Sequence, residues 1–397
     1  VKNGKEVGVS REDVHRLPSK MEQKEYISNF VQMQRLPYEV KVRRAELRAI
    51  EFYEEIVYRQ DKNVHISVGG LDSITLLFFL RHIGLNIPAI GVTVLEHQSI
   101  RRIHKQIGVM PINPAIPKHK VIQELGFPVI SKAKASKIEH LQTLNSPKQT
   151  FIHAIMTGDM GEQGKFEHSD KIKLPEKWIK LFGGNYQEHR PDICCKCANF
   201  KVSAKCCKYM KEDPCDNWAK EHDSYPYLGL MASEGGQREF ALMKNGCNYY
   251  GKDVIRSAPF APFMRQDILQ LAIDLKVPIP EAYGTIEKKQ DGTLYTTKAQ
   301  RTGCDICGFG IHLEKRPHRF DRLREDNEKA WHFWMYECCV DEETGEKYGW
   351  GRVLNWIGIA WEDSPAIQIT LSDLGMNLKG EEKKVNESSQ SSLRNKQ

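Results

Sequence analysis

Residues 64–81 read VHISVGGLDSITLLFFLR, and this stretch narrows the fold further than any other. Val64, Ile66 and Val68 alternate as a buried strand should, Gly69 and Gly70 make a tight turn, and Asp72-Ser73 open an apolar helix at Ile74. A strand that runs through glycines into a helix N-terminus suits an anion. The glycines let the backbone close on a phosphate, successive N–H groups point at it, and the helix dipole favours negative charge. The spacing fits neither the Gly-x4-Gly-Lys-Ser/Thr loop nor Gly-x-Gly-x-x-Gly.

The elements around this stretch extend the pattern. Leu47, Ile50, Tyr53 and Val57 follow helical spacing and predict a helix over Glu39–Tyr58 leading into the strand. A second strand is expected at Ala89–Leu95, helices near Ile100–Gln106 and Lys118–Leu125, a returning strand at Tyr227–Met231, and a helix over Gln266–Leu275. Strand–helix alternation predicts an α/β fold, a doubly wound parallel sheet with ligands at the carboxyl ends of its strands. The domain reading is a helical lead-in at 1–60 and a nucleotide-binding domain at 61–300 with a Cys-rich insertion at about 145–220. A Cys-x-x-Cys module follows at 301–365, and 380–397, with EEKK and SSQSS, is expected to be disordered.

The 397 residues carry a net charge of +6, which suits anionic substrates and is below what a dedicated nucleic-acid binder shows. Apolar runs such as Ile74–Leu80 are too short to span a bilayer, and no signal peptide opens the chain, so a cytoplasmic protein without a membrane partner is expected. Oligomeric state is not encoded in any motif.

Eleven cysteines in such a chain point to metal or redox chemistry rather than disulfides. All of them lie at or after Cys194. Cys206-Cys207 are in tandem, and Cys304-x-x-Cys307 is flanked by Gly303, Gly308 and Gly310. Four thiolates suit tetrahedral zinc or an iron–sulfur cube. Cys247 follows Gly246 and is an alternative ligand. Cys194, Cys195 and Cys197 are read as a loose loop rather than a zinc knuckle with Cys215 or His189, and Cys338-Cys339 as small buried hydrophobes.

The loop resembles the Ser-Gly-Gly-x-Asp-Ser pyrophosphate loop of the adenine-nucleotide α-hydrolases, which include ATP pyrophosphatases and sulfonucleotide reductases. Tandem Cys followed by a distant Cys-x-x-Cys resembles the 4Fe-4S ligand set of adenylyl-sulfate reductases. Together with GFPVISK at 126–132, NFKVSAKCCKYMKEDP at 199–214, SAPFAPFMRQDILQLAI at 257–273 and RTGCDICGFGIHLEKRPHRF, about residues 30–360 resemble the phosphoadenosine phosphosulfate (PAPS) reductase family, in its phage- and mobile-element-associated branch.

The resemblance implies that Gly69, Gly70, Asp72 and Ser73 cradle the phosphates of ATP or adenylyl sulfate, with Asp72 ordering the turn or holding Mg²⁺. Lys132 and Arg238 would neutralise phosphate charge, Asp72 and Arg238 being the catalytic candidates. Cys206, Cys207, Cys304 and Cys307, with Cys247 as the alternative, would hold a 4Fe-4S cluster. The implied chemistry is adenylation of an acceptor oxygen, nucleic acid among the candidates, followed by sulfur transfer.

Two departures matter. Val68 stands where the family carries serine, a loss of about 1 kcal/mol in hydroxyl donation. The chain ends in LRNKQ, without the family's Glu-Cys-Gly-Leu-His tail, so sulfonucleotide reduction with a thioredoxin-like donor would need an internal thiol, Cys247 or Cys339. That reductase is one alternative. The other is a non-catalytic, zinc-stabilised nucleic-acid-binding or regulatory protein.

Overall fold

The computed structural model describes residues 20–161 and 167–362. The expected disordered tail at 380–397 lies outside them. Within them the chain divides into two compact units, one of residues 20–115 with 207–305 and one of 116–161 and 167–206 with 306–362. No helix among the described residues is long and apolar enough to cross a membrane.

The first unit is mixed α/β around a six-stranded sheet. Its order is Met110–Pro111, Ala89–Gly91, Asn63–Ser67, Ser224–Leu228, Ile255–Ser257, Asn248–Tyr250. All neighbours pair in parallel except the last two, which are antiparallel. The chain steps outward from Asn63–Ser67 in one direction, then returns to its other side at Ser224, so the strand order reverses beside the loop strand. A crevice at the carboxyl ends of such strands is where open α/β sheets bind ligands.

The loop strand is buried on both faces, as the centre of a parallel sheet requires. Val64, Ile66 and Val68 join the core, and so does His65 at 1% exposure, a position that simple alternation assigns to solvent. Its Nδ1 meets Ser224 Oγ at 2.8 Å and its ring packs edge-on against Trp218. Burial, reinforced by His222, lowers its pKa to about 4. The helix that follows runs Leu71–His82, three residues earlier than its apolar run suggests, and buries Leu71, Ile74, Leu76, Leu77, Phe79 and Leu80.

The expected lead-in helix is present as Tyr38–Tyr53, continued by a wider turn over Glu54–Arg59, but its buried stripe differs. Ala45, Ala49, Phe52 and Ile56 face the core, while Leu47 is 48% exposed. Small alanines allow the close approach, and the buried Lys41 Nζ pairs with Asp267 Oδ2 at 2.5 Å. The second strand is shorter than expected, Ala89–Gly91, before a 3-10 turn at Thr93–Leu95.

The second unit has a helical, aromatic core. The stretch 145–220, where periodicity fades, contains the helices Gln149–Thr157 and Glu176–Phe182. Trp178, Ile179 and Phe182 share one cluster with Phe127, Phe320, Trp331 and Trp350. Residues 116–161, 167–206 and 306–362 therefore share one core. Val129–Ile130 pairs in parallel with Gly308–Phe309, and Gly308 lies so close to Trp350 that a Cβ there would sit 2.5 Å from the ring. Cys338 and Cys339 are buried in this core, as their aromatic setting suggests.

Candidate functional site

The loop leaves the sheet one residue later than its strand ends. Val68 N–H still donates to Ile90 O at 2.7 Å and its side chain is buried in the core, so no shift of the turn brings Ser67 into the place of the family serine. Gly70 caps the helix with extended backbone, and its lack of a side chain is a matter of space, since a Cβ would lie 2.4 Å from Tyr283 Oη. Gly229, just after the returning strand, is equally constrained, because a Cβ there would lie 2.9 Å from Ser73 N.

Hydrogen bonds hold the turn rigid. Gly69 N–H donates to Ser73 Oγ at 2.7 Å, and that hydroxyl donates to Gly70 O at 2.9 Å. Leu71 N–H donates to Tyr283 Oη at 3.0 Å, itself 2.7 Å from Thr302 Oγ1. His104 Nε2 lies 2.8 Å from Gly69 O, and since a carbonyl only accepts, the proton is on Nε2. Burial lowers the His104 pKa, which keeps the ring neutral, with Nδ1 accepting from Thr93 Oγ1 at 3.0 Å.

A charged cluster surrounds the start of the helix. Arg265 Nη1 pairs with Asp72 Oδ1, and Nη2 donates to Gln300 O at 3.0 Å. Arg265 Nε is buried with no hydrogen-bond partner. Glu234, its side chain 8% exposed, takes Arg238 on Oε2 at 2.7 Å and Arg301 on Oε1 at 3.5 Å. Burial raises the Asp72 pKa and Glu234 adds to the effect, against the opposing pull of Arg265 and Arg301. Asp72 is thus paired with Arg265 at the start of the helix. Arg238 is a sequence candidate, while Arg265 and Arg301 are additions. Both lie inside segments that carry the resemblance, yet nothing local separates them from surface arginines.

On another side of the loop, Glu96 is buried and its Oε1 would lie 3.5 Å from a Cβ at Gly69. Lys211 Nζ reaches that oxygen at 2.7 Å. Burial works against the Lys211 ammonium, but Cys304, Glu96 and Cys207 together hold its pKa above the ordinary lysine value. Two of the cysteine candidates thus act on the charge of one lysine in the first unit.

Cys206 and Cys307 belong to the second unit, Cys206 buried at 4% exposure and Cys307 giving its carbonyl to Arg319 Nη1 at 2.7 Å. Lys132, also in the second unit, is the first residue of the helix Lys132–Gln142, whose cap is Ser131. Cys247 has Arg48, Arg44, Arg256 and Glu51 as its charged neighbours, and burial raises its pKa to about 11. Among the described residues no group of three or more His, Cys, Asp or Glu side chains stands close enough to hold a metal ion. Cys194 and Cys197 are exposed, Cys197 Sγ lying 3.2 Å from Asn185 Oδ1.

No protein-family model matches the chain, and no curated protein does. Among solved structures, a phosphoadenylyl-sulfate (PAPS) reductase from Candida auris, in a phosphate complex, is similar with 10% identity and a TM-score of 0.31, over 70% of this chain and 99% of that one. An overlap of that size says nothing about chemistry, which has to come from the loop and its arginines.

The residues present fit a phosphorylated ligand. The turn holds two glycines, of which Gly70 is kept small by Tyr283, it opens a helix twelve residues long, and an unpaired buried donor on Arg265 stands beside it.

Proposed function

We propose that this chain is an enzyme of adenine-nucleotide chemistry that binds ATP or adenylyl sulfate over Gly69–Ser73 and uses displacement at phosphorus in sulfur transfer. The observation that carries this reading is the Arg265 guanidinium, whose buried Nε lacks a partner at the mouth of a glycine turn where the strand order reverses. A buried unpaired donor costs about 1–3 kcal/mol, and a phosphate oxygen would satisfy it.

The chemistry follows from charge. Arg238, Arg265 and Arg301 set three positive charges against Asp72 and Glu234. An acceptor oxygen attacks the α-phosphorus of ATP, the bond to pyrophosphate breaks, and the charge gathering on the departing oxygens meets these arginines and the helix N-terminus. A sulfur nucleophile then displaces AMP from the adenylated acceptor, for which nucleic acid is the candidate class. A Mg²⁺ arriving with ATP would compete with Arg265 for Asp72.

Cys206, Cys207, Cys304 and Cys307, with Cys247 as the alternative, are the proposed ligands of a 4Fe-4S cluster. Four thiolates supply the right donor chemistry, and no step above depends on the cluster. Sulfonucleotide reduction is the weaker reading. Cys339 is 2% exposed and Cys247 is pushed up to about 11, so neither thiol is set up as a nucleophile. Pyrophosphate release from ATP by the full chain, purified without oxygen, tests the proposal. Sulfite release from phosphoadenylyl sulfate with a thioredoxin-like donor would favour the reductase, and zinc content with salt-sensitive nucleic-acid binding and no turnover the non-catalytic reading.

A further inference from the structure

In the second unit, the helix Lys132–Gln142 begins against its own dipole. A helix N-terminus is the positive end and favours carboxylates. This one carries Lys132 and Lys134 in its first turn, no acidic residue there, and Lys137 three residues further on. The helix Glu176–Phe182 packs against it and brings Lys177 and Lys180. Packing therefore gathers positive charge instead of cancelling it.

A chain of short contacts joins the two helix starts. Gly310 N–H donates to Ile130 O at 2.9 Å, next to the cap Ser131, which sets the 3-10 turn Ile311–Leu313 beside the first turn. His312, in that turn, meets Trp178 edge-on at 5.9 Å between ring centres, and Lys177 Nζ stands 4.9 Å from the centre of the same indole. Lys137 Nζ donates to Lys171 O at 2.7 Å. Glu176 answers Lys180 at 3.0 Å, but among the described residues no carboxylate pairs with Lys134 or Lys177. The excess charge acts locally: burial, then Lys134 and Lys177, lower the His312 pKa, and burial with Lys134 lowers that of Lys137. Unlike an enclosed site, this face is open, with Lys132, Lys177 and Leu313 exposed.

We propose that the face formed by Lys132, Lys134, Lys137, Lys177 and His312 binds the sugar–phosphate backbone of a nucleic acid, without reading its sequence. The charges are spread over two helices and a turn, so a small anion meets one or two of them, whereas a polymer with a phosphate at every step meets them together. Lysine is a point charge on a flexible stem, which positions a backbone and carries no base readout. Seating on a membrane needs an apolar face beside the charges, and here Ile138, Leu141, Ile179 and Phe182 turn into the core. The proposal draws on the proposed function for nucleic acid as the acceptor class. Its test uses no ATP, so its failure would leave the nucleotide reading standing.

Fluorescence anisotropy of the full chain with a labelled single-stranded DNA of mixed sequence, about 30 nucleotides long, tests it. The account expects saturable binding at about 50 mM salt that weakens steeply as salt rises. Lys134→Gln/Lys177→Gln should weaken binding at least about fivefold and flatten the salt slope by about 1 or more. Lys105→Gln/Lys244→Gln removes the same charge from exposed positions of the first unit and should leave affinity within about twofold. Thermal unfolding of the Lys134/Lys177 variant should be at or above wild type, because repelling charges are removed. The proposal is overturned if the DNA does not bind at about 50 mM salt, or if the control pair weakens binding as much. It is overturned too if poly-glutamate or phosphatidylserine vesicles bind as tightly with the same dependence on Lys134 and Lys177.

Discussion

The two units bury different things. The first encloses charge: Lys41 with Asp267, Glu96 with Lys211, Asp72 with Arg265, and the unmet guanidinium of Arg256. The second encloses mainly rings, Trp178, Trp331, Trp350 and Trp361 around Phe127 and Phe320, with the buried Lys118 ammonium on a backbone carbonyl; the first has its own buried rings, Phe52, Phe79, Phe260 and Phe263, beside its charges. Apolar packing gives stability without direction, whereas a charge taken out of water has to be matched and is worth keeping where a ligand uses it. On the proposed function, nucleotide recognition belongs to the first unit, and the second contributes stability.

The largest way to break this contrast is Trp350→Ala. Trp350 is fully buried against Phe127, Phe320 and Gly308, and its loss should cost about 3–5 kcal/mol in chemical denaturation. ATP affinity of the folded protein should stay within about twofold. A collapse of affinity at preserved fold would mean that the aromatic unit carries recognition too.

Next comes Arg265→Ala, which leaves the Asp72 carboxylate without its partner. With both side chains about one-fifth exposed, the expected cost is about 2–4 kcal/mol, together with loss of nucleotide binding. Wild-type affinity in this variant would remove Arg265 from the site.

His65 supplies a pH test. Its folded pKa is lowered to about 4, so above its unfolded value of about 6.5 both states are neutral and it contributes nothing to the pH dependence. As pH falls below that value the unfolded chain takes up a proton and the folded chain does not. Stability is therefore lost between about pH 6.5 and 4, by up to about 3 kcal/mol. Thermal unfolding of His65→Gln should lose that part of the slope, and an unchanged slope would assign it elsewhere.

The smallest change is Gly70→Ala. The new methyl meets Tyr283 Oη, at a cost of about 1–3 kcal/mol, and Gly70→Ala/Tyr283→Phe should recover part of it. No recovery in the double variant would mean that the glycine is needed for backbone reasons.

What the sequence reveals here is local. The glycine turn is legible because alternation, two glycines and an apolar helix follow one another within eighteen residues. The helices Lys118–Leu125 and Arg265–Asp274 are legible from their spacing and their Gly or Pro stops. Arg265 is not legible as a partner of Asp72, because the two are 193 residues apart and only the sheet order brings them together. Leu47 misleads because hydrophobicity ranks it above Ala45 and Ala49, whereas close helix packing favours the smaller residues. The cysteines show the limit most clearly. Their spacing suggests a centre, but it does not show that Cys207 and Cys304 both act on the charge of Lys211, or that Cys247 has arginines as charged neighbours.

The central claim is that the glycine turn and its arginines bind an adenine nucleotide through its phosphates. Calorimetric titration of the full chain with ATP and with adenylyl sulfate, beside the Arg265→Ala variant, tests it most directly. The account predicts one saturable site for at least one of the two nucleotides, weakened at least about tenfold by the substitution. Heat-silent, non-saturating titrations with both nucleotides, or equal affinity in the variant, would contradict it.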